Sequence, residues 1–104
     1  MLRIASGELK DRTLCLTVHG PRLDAASARE FKKVCDECWQ PDVERLTIDL
    51  RQVDFLDSSG VGALLSVYKK LPPDKPSVKL LHVQPPVQTV IELLRLHRIF
   101  TIVA

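Results

Sequence analysis

The sequence predicts an α/β fold: one domain over residues 1–104, with a mostly parallel sheet, an antiparallel first strand and helices mainly on one face. Three observations carry that prediction. The apolar pattern switches between period 2 and helical spacing in the order β-β-α-β-α-β-α-β, and strand–helix–strand units of this size imply parallel strands joined by right-handed crossovers. The first two strands are joined by a short connection through the polar turn Lys10-Asp11-Arg12, too short for a crossover, so they pair antiparallel. Within strands, apolar and polar residues alternate, as with Leu14, Leu16 and Val18 against Thr13, Cys15 and Thr17. Strands covered on both faces would instead read as continuous apolar runs.

Residues 2–6 and 13–19 read as the first two strands, and Gly20-Pro21 breaks the second. Asp24 is placed to cap a helix that runs to about Trp39 and is stopped by Pro41. Leu46, Ile48 and Leu50 alternate with Thr47 and Asp49 in the central strand. After Asp57 the spacing becomes helical, with Val61, Leu64, Leu65, Tyr68 and Leu71 as the inner stripe, and the helix ends at Leu71-Pro72-Pro73. Lys75-Pro76 reads as a turn and residues 78–83 as the next strand. Pro85-Pro86 opens the last helix, since proline suits the first helical turn. Its apolar stripe is Val87, Val90, Ile91 and Leu94, and residues 98–103 form a short final strand.

Composition excludes several classes of function. Fifteen basic and 13 acidic residues give a formal net charge of +2. The basic residues are scattered and aromatics are few, so a nucleic-acid partner is not expected. No apolar run approaches the ~20 residues of a membrane span, and the N-terminus lacks the apolar core of a signal peptide. Neither membrane insertion nor export is expected, and the expected location is cytoplasmic. Cys35 and Cys38 spell a C-x-x-C, but Phe31, Val34, Cys35 and Cys38 fall at i, i+3, i+4 and i+7. Both thiols therefore belong to the buried stripe of a helix, near its C-terminal end, where the helix dipole raises a thiol pKa rather than lowering it. A zinc site would need two further ligands, and no second pair is present.

The stretch around which the chain is organised is Val53-Asp54-Phe55-Leu56-Asp57-Ser58-Ser59-Gly60-Val61-Gly62. Asp57 and Ser58 sit where a strand pattern turns into a helix, so their oxygens can accept from free N–H groups of the first turn. Gly60 and Gly62 leave that turn bare of bulky side chains. Ser58, Gly62, Ser66 and Lys69, at i, i+4, i+8 and i+11, form an outer strip that another protein could approach closely. From the residues alone, Asp57 and Ser58 read as a simple capping pair rather than as a phosphoacceptor, since such caps are common.

The Asp57-Ser58-Ser59-Gly60-Val61-Gly62 run after the Leu46–Leu50 strand resembles the signature of STAS domains, and more narrowly of bacterial anti-sigma factor antagonists. The resemblance extends to Gly20…Leu23-Asp24 before the first helix and Pro85-Pro86-Val87 before the last. It implies a STAS-like domain that switches by protein binding. The implied partners are an anti-sigma serine kinase, which supplies ATP, and a phosphatase. The serine directly after the aspartate, Ser58 and not Ser59, would take the phosphate. Asp24, Asp57, Ser58, Ser59, Gly60, Gly62 and Ser66 would meet the partner. No cofactor of the protein's own is implied, and the expected oligomeric state is a monomer or weak dimer. The alternative is a non-phosphorylated regulatory subunit of a transporter ATPase or larger signalling assembly. Two departures stand out. Gly20-Pro21-Arg22-Leu23-Asp24 is one residue longer than the common Gly-x-Leu-Asp, with Arg22 where an acidic or neutral residue is usual, and the further helix that family members commonly carry after the last strand is expected to be missing or never present here.

Catalysis is not expected. A serine nucleophile needs a base within reach, and His19, His82 and His97 fall at a strand end, a strand interior and a helix end. Asp-Ser-Ser-Gly is not the Gly-x-Ser-x-Gly elbow, and Gly60-x-Gly62 lacks the third glycine and the lysine of phosphate-binding loops. Asp49, Asp54 and Asp57 read as solvated positions rather than a metal site.

Overall fold

A computed structural model describes residues 5–72, 74 and 77–103. Asp11 and Arg12 both adopt left-handed backbone (φ 50° and 64°), the two-residue turn whose twist matches that of the flanking strands. It joins β1 (Ala5–Lys10) to β2 (Thr13–Val18) antiparallel, with Ala5 opposite Val18 and Lys10 opposite Thr13. The predicted first strand over residues 2–6 begins outside the described residues. Within them β1 runs on to Lys10, because pairing with β2 carries Gly7, Glu8 and Lys10 into the ladder despite their weak strand propensity.

β2 then pairs in parallel with β4 (Arg45–Asp49), β4 with β6 (Val78–Leu81), and β6 with β7 (Phe100–Val103). The sheet order is therefore β1-β2-β4-β6-β7. Each crossover steps the same way, and right-handed crossovers that all advance in one direction leave their helices on one face. The inward residues Leu14, Leu16, Leu46, Ile48, Leu80 and Phe100 are fully buried under those helices. The outward residues Thr13, Cys15, Thr17, Thr47 and Asp49 are half-buried. This is the predicted α/β architecture.

Three helices cover the inner face: α1 (Ala25–Cys38), α2 (Ser58–Tyr68) and α3 (Pro85–Leu93). α1 packs on β1 and against α2 and buries Phe31, Val34 and Cys35. The regular part of α2 ends at Tyr68, earlier than predicted, and the backbone bonds from Lys70 to Val67 and from Leu71 to Tyr68 tighten the exit, with Leu71 still buried. Its buried face is centred on Gly60, Ala63, Leu64 and Val67, while Val61, Leu65 and Tyr68 are half-buried. The bulky apolar residues suggested a slightly rotated face because two of the buried positions, Gly60 and Ala63, are small.

Pro85 and Pro86 open α3 as predicted, and Val87 and Ile91 are buried. Leu94 is not part of the stripe: the helix stops there, Arg95 turns left-handed (φ 58°), and Leu94 is left 54% exposed. His82 (φ 54°) ends β6 short of the predicted Val83, and a 3₁₀ turn at Leu96–Arg98 occupies the predicted start of the last strand. Pro73 and the Lys75-Pro76 turn lie outside the described residues.

Candidate functional site

Two short strands build the site. β3 (Arg22–Leu23) pairs in parallel with β5 (Phe55–Leu56), Arg22 opposite Phe55 and Leu23 opposite Leu56. The amide of Asp54 donates to the Pro21 carbonyl (2.9 Å) and that of Asp57 to the Leu23 carbonyl (3.4 Å). Each strand leads directly into a helix, so this bracket sets the starts of α1 and α2 side by side. Strands of two residues carry no alternation, so periodicity could not reveal them.

Both helices begin with an aspartate, as predicted. Asp24 accepts from the Ser27 amide at 3.2 Å, and the Ser27 hydroxyl accepts from the Asp24 amide at 2.9 Å, which closes a capping box. Ser27 is buried, and its hydroxyl also donates to the Arg22 carbonyl at 2.8 Å. The bond from the Ser27 amide, then the Ser27 hydroxyl and Arg22, holds the Asp24 carboxyl below its ordinary pKa. Arg22 reaches Asp24 with Nε at 3.3 Å and lies over the Phe55 ring at 4.0 Å. The cap of α2 is simpler: Asp57 accepts from the Gly60 amide at 3.0 Å.

Ser58 and Ser59 follow Asp57 and are both exposed, as are Gly62 and Ser66. Ser66 turns its hydroxyl back onto the Gly62 carbonyl at 2.9 Å. Nothing lies within 4 Å of where a Cβ on Gly62 would stand. Gly60 is different, and the expectation of a bare contact surface there is corrected. It is buried, and a Cβ at Gly60 would collide with the carbonyl oxygen of Leu23. This glycine lets α2 pass under β3. Of the predicted site residues, Ser58, Ser59, Gly62 and Ser66 thus lie on one open strip, Asp24 and Asp57 are half-buried caps beside it, and Gly60 lies beneath.

Between α1 and α2 runs an open groove of about 420 Å³, with Ser59, Gly62 and Ser66 on one side and Arg29 and Lys32 on the other. The sequence reading did not single out Arg29 and Lys32. The available signal was their i, i+3 spacing with Ala25 and Ala28 on the same helical face. The C-x-x-C is positioned elsewhere, at the far end of α1. Cys35 is fully buried, which pushes its thiol up to about 12, and Cys38 is packed against Gly7 of β1. Asp49 pairs with Arg51 at 3.3 Å. Among the described residues, no helix is long and apolar enough to cross a membrane.

A one-faced, mostly parallel sheet, with two capped helix starts abutting beyond the C-terminal ends of β2 and β4 and a seryl strip laid open beside them, defines a particular class of small α/β domain. The chain belongs to the STAS domain family, whose model matches residues 6–104. Its fold is similar to that of an anti-sigma factor antagonist from Mycobacterium paratuberculosis, at 23% identity over 94% of this chain and 82% of that one, with a TM-score of 0.79. It is also similar to an anti-sigma-factor antagonist (STAS) domain protein from Planctomyces limnophilus, at 16% identity over 100% and 92% of the two chains, with a TM-score of 0.85. The phosphorylated form of the Bacillus cell fate determinant SpoIIAA matches with a TM-score of 0.72, at 20% identity over 96% of this chain and 91% of that one. At these identities the likeness is one of fold.

Proposed function

We propose that the protein is an anti-sigma factor antagonist, a cytoplasmic single-domain switch that binds an anti-sigma serine kinase when unphosphorylated and is released when Ser58 is phosphorylated. The observation that carries this reading is the exposed Ser58 as the first residue of α2, beside an Asp57 carboxylate engaged on the Gly60 amide. The existence of a phosphorylated form of SpoIIAA, which shares the fold, supports it. In the reaction, the Ser58 Oγ attacks the γ-phosphorus of ATP held by the kinase. A bond from Oγ to phosphorus forms, the bridging bond to the β-phosphate breaks, ADP leaves, and the hydroxyl proton passes to a base of the kinase. A phosphatase resets the serine by hydrolysis.

The fold tolerates the product. Phosphorylation adds about −1.5 to −2 charges at pH 7. The free N–H groups and dipole of a helix start favour an anion, while the adjacent Asp57 opposes one, so folding changes little. A partner seated on a bare Ser/Gly strip must instead accommodate a bulky dianion, and an unfavourable interaction of about 3 kcal/mol weakens binding more than a hundredfold. The test uses the kinase that co-purifies with the protein from native lysate, with phosphorylation read by intact mass and binding by calorimetry. Ser58→Ala is expected to stay folded, refuse phosphate and keep binding; Ser58→Asp to stay folded and bind weakly; Ser59→Ala to accept phosphate. Phosphate on Ser58→Ala at the parent's rate overturns the site, and equal binding by the plain and phosphorylated proteins overturns the switch.

A further inference from the structure

We infer that the groove between α1 and α2 receives an acidic helix of the partner, whose carboxylates, one turn apart, are bound by Arg29 and Lys32. This deepens the proposed function and rests on it for the identity of the partner. Arg29 and Lys32 are both exposed, stand on one face of α1 a single turn apart, and line the groove's α1 wall after Ala25 and Ala28. Five other cations are ion-paired: Arg12 with Glu44, Arg22 with Asp24, Arg45 with Glu44, Arg51 with Asp49 and Lys70 with Asp36. Among the described residues, Arg29 and Lys32 make no such pair. Two cations without an ion pair on one wall of an open groove are complementary to an anionic occupant.

The shape selects a helix. The α2 wall is Ser59, Gly62, Ala63 and Ser66, again at i, i+3, i+4 and i+7, so both walls are helical ridges with a furrow between them. A third helix laid in such a furrow is a recurrent mode of peptide recognition, with its side chains meeting the walls every turn. Gly62 leaves open space where a side chain would otherwise stand, which lets that helix sit close to the α2 backbone. Carboxylates at i and i+3 or i+4 on its edge then match Arg29 and Lys32 in spacing. The same surface explains release. Ser58 directly precedes the wall residue Ser59, so a phosphate there repels the partner's carboxylates and competes for the two cations that hold them.

The test uses the full chain as bait in native lysate, then the captured protein, identified by mass spectrometry and purified, as the probe. Binding is measured for the parent, for the double variant Arg29→Glu with Lys32→Glu, for Gly62→Leu, and for Lys33→Glu, an exposed cation of α1 outside the groove. The double variant is expected to weaken binding by about tenfold or more and to flatten its salt dependence, as loss of complementary charge does. Gly62→Leu is expected to weaken it by obstruction, and Lys33→Glu to leave it within about twofold. Circular dichroism establishes that each variant is folded. Parent-like binding by the double variant, or equal loss with Lys33→Glu, overturns the groove while leaving Ser58 phosphorylation standing. A captured protein that transfers no phosphate to Ser58, yet loses binding with the double variant, upholds the groove and overturns the kinase reading. Capture of no protein at all overturns both.

Discussion

The two helix starts at this site look alike in sequence and are built for opposite ends. Each begins with an aspartate in extended backbone whose carboxylate caps the amide three residues on. At α1 that third residue is Ser27, which returns the bond, is buried, and ties Arg22 into the same cluster. At α2 it is Gly60, which has no side chain to return a bond and lies pinned under the Leu23 carbonyl. The first start is closed upon itself. The second leaves Ser58 and Ser59 facing solvent, so its polar groups remain for a partner to use. The two starts differ at all three opening positions, Ala25-Ala26-Ser27 against Ser58-Ser59-Gly60, and under the proposed function it is the second that faces the partner.

The strongest way to break this comparison is to give Gly60 a side chain. An alanine Cβ there meets the Leu23 backbone carbonyl first and the Leu56 side chain next, and because the carbonyl cannot yield as a side-chain tip can, β3 and α2 must separate. Gly60→Ala is expected to cost about 3 kcal/mol, the upper range for overpacking. That is a large fraction of the ~5–15 kcal/mol total of a domain. Urea denaturation measures it, and a loss below about 0.5 kcal/mol, the range of ordinary surface changes, means that β3 does not cross α2 as described.

That close approach also marks where sequence reading ended. The caps at Asp24 and Asp57 were legible, because each precedes an apolar helical period, and so were the order of the main strands and helices along the chain and the exposure of Ser58, Gly62 and Ser66. The β3–β5 bracket was not, since Arg22-Leu23 and Phe55-Leu56 are too short for a period and become strands only by meeting one another. Hence Gly60 and Gly62 read as equivalent. What divides them is a carbonyl oxygen from Leu23, distant in the chain. Leu94 failed for a related reason: its spacing fits the α3 stripe, but the left-handed Arg95 ends the helix before the stripe can use it. Arg29 and Lys32 were invisible as a pair because their significance lies in the facing α2 wall, not in α1.

A gentler probe separates the two caps by titration. The Asp24 carboxyl lies below its ordinary 3.8 in the folded protein, chiefly through its bonds with Ser27. A carboxylate lowered on folding contributes stability that is fully present above the unfolded pKa and is lost as pH falls through the folded one. The acid limb of the stability curve should therefore carry an Asp24 contribution that fades below pH 3.8. Asparagine caps about as well as aspartate but does not titrate there. Asp24→Asn is thus expected to keep most of the stability at neutral pH and to flatten that limb, as read by denaturation at stepped pH. An unchanged acid slope would show that the α1 start is not held by its ionised carboxylate.

The smallest expected effect concerns Gly62, and it sharpens the comparison furthest because its sign is opposite to that at Gly60. Gly62 stands inside α2, exposed, with open space beyond its Cα. An alanine there meets nothing and removes the conformational freedom that glycine gives the unfolded chain, so Gly62→Ala is expected to stabilise the protein by about 0.5–1 kcal/mol. The natural residue is therefore not the one the fold would choose, which is understandable if the missing methyl keeps the groove deep enough for a helix to lie against α2. Thermal unfolding and partner binding measured on the same variant separate the two demands. A gain in stability with weakened binding assigns Gly62 to recognition. A loss of stability would show that the glycine serves the fold, as Gly60 does, and that the two positions are alike after all.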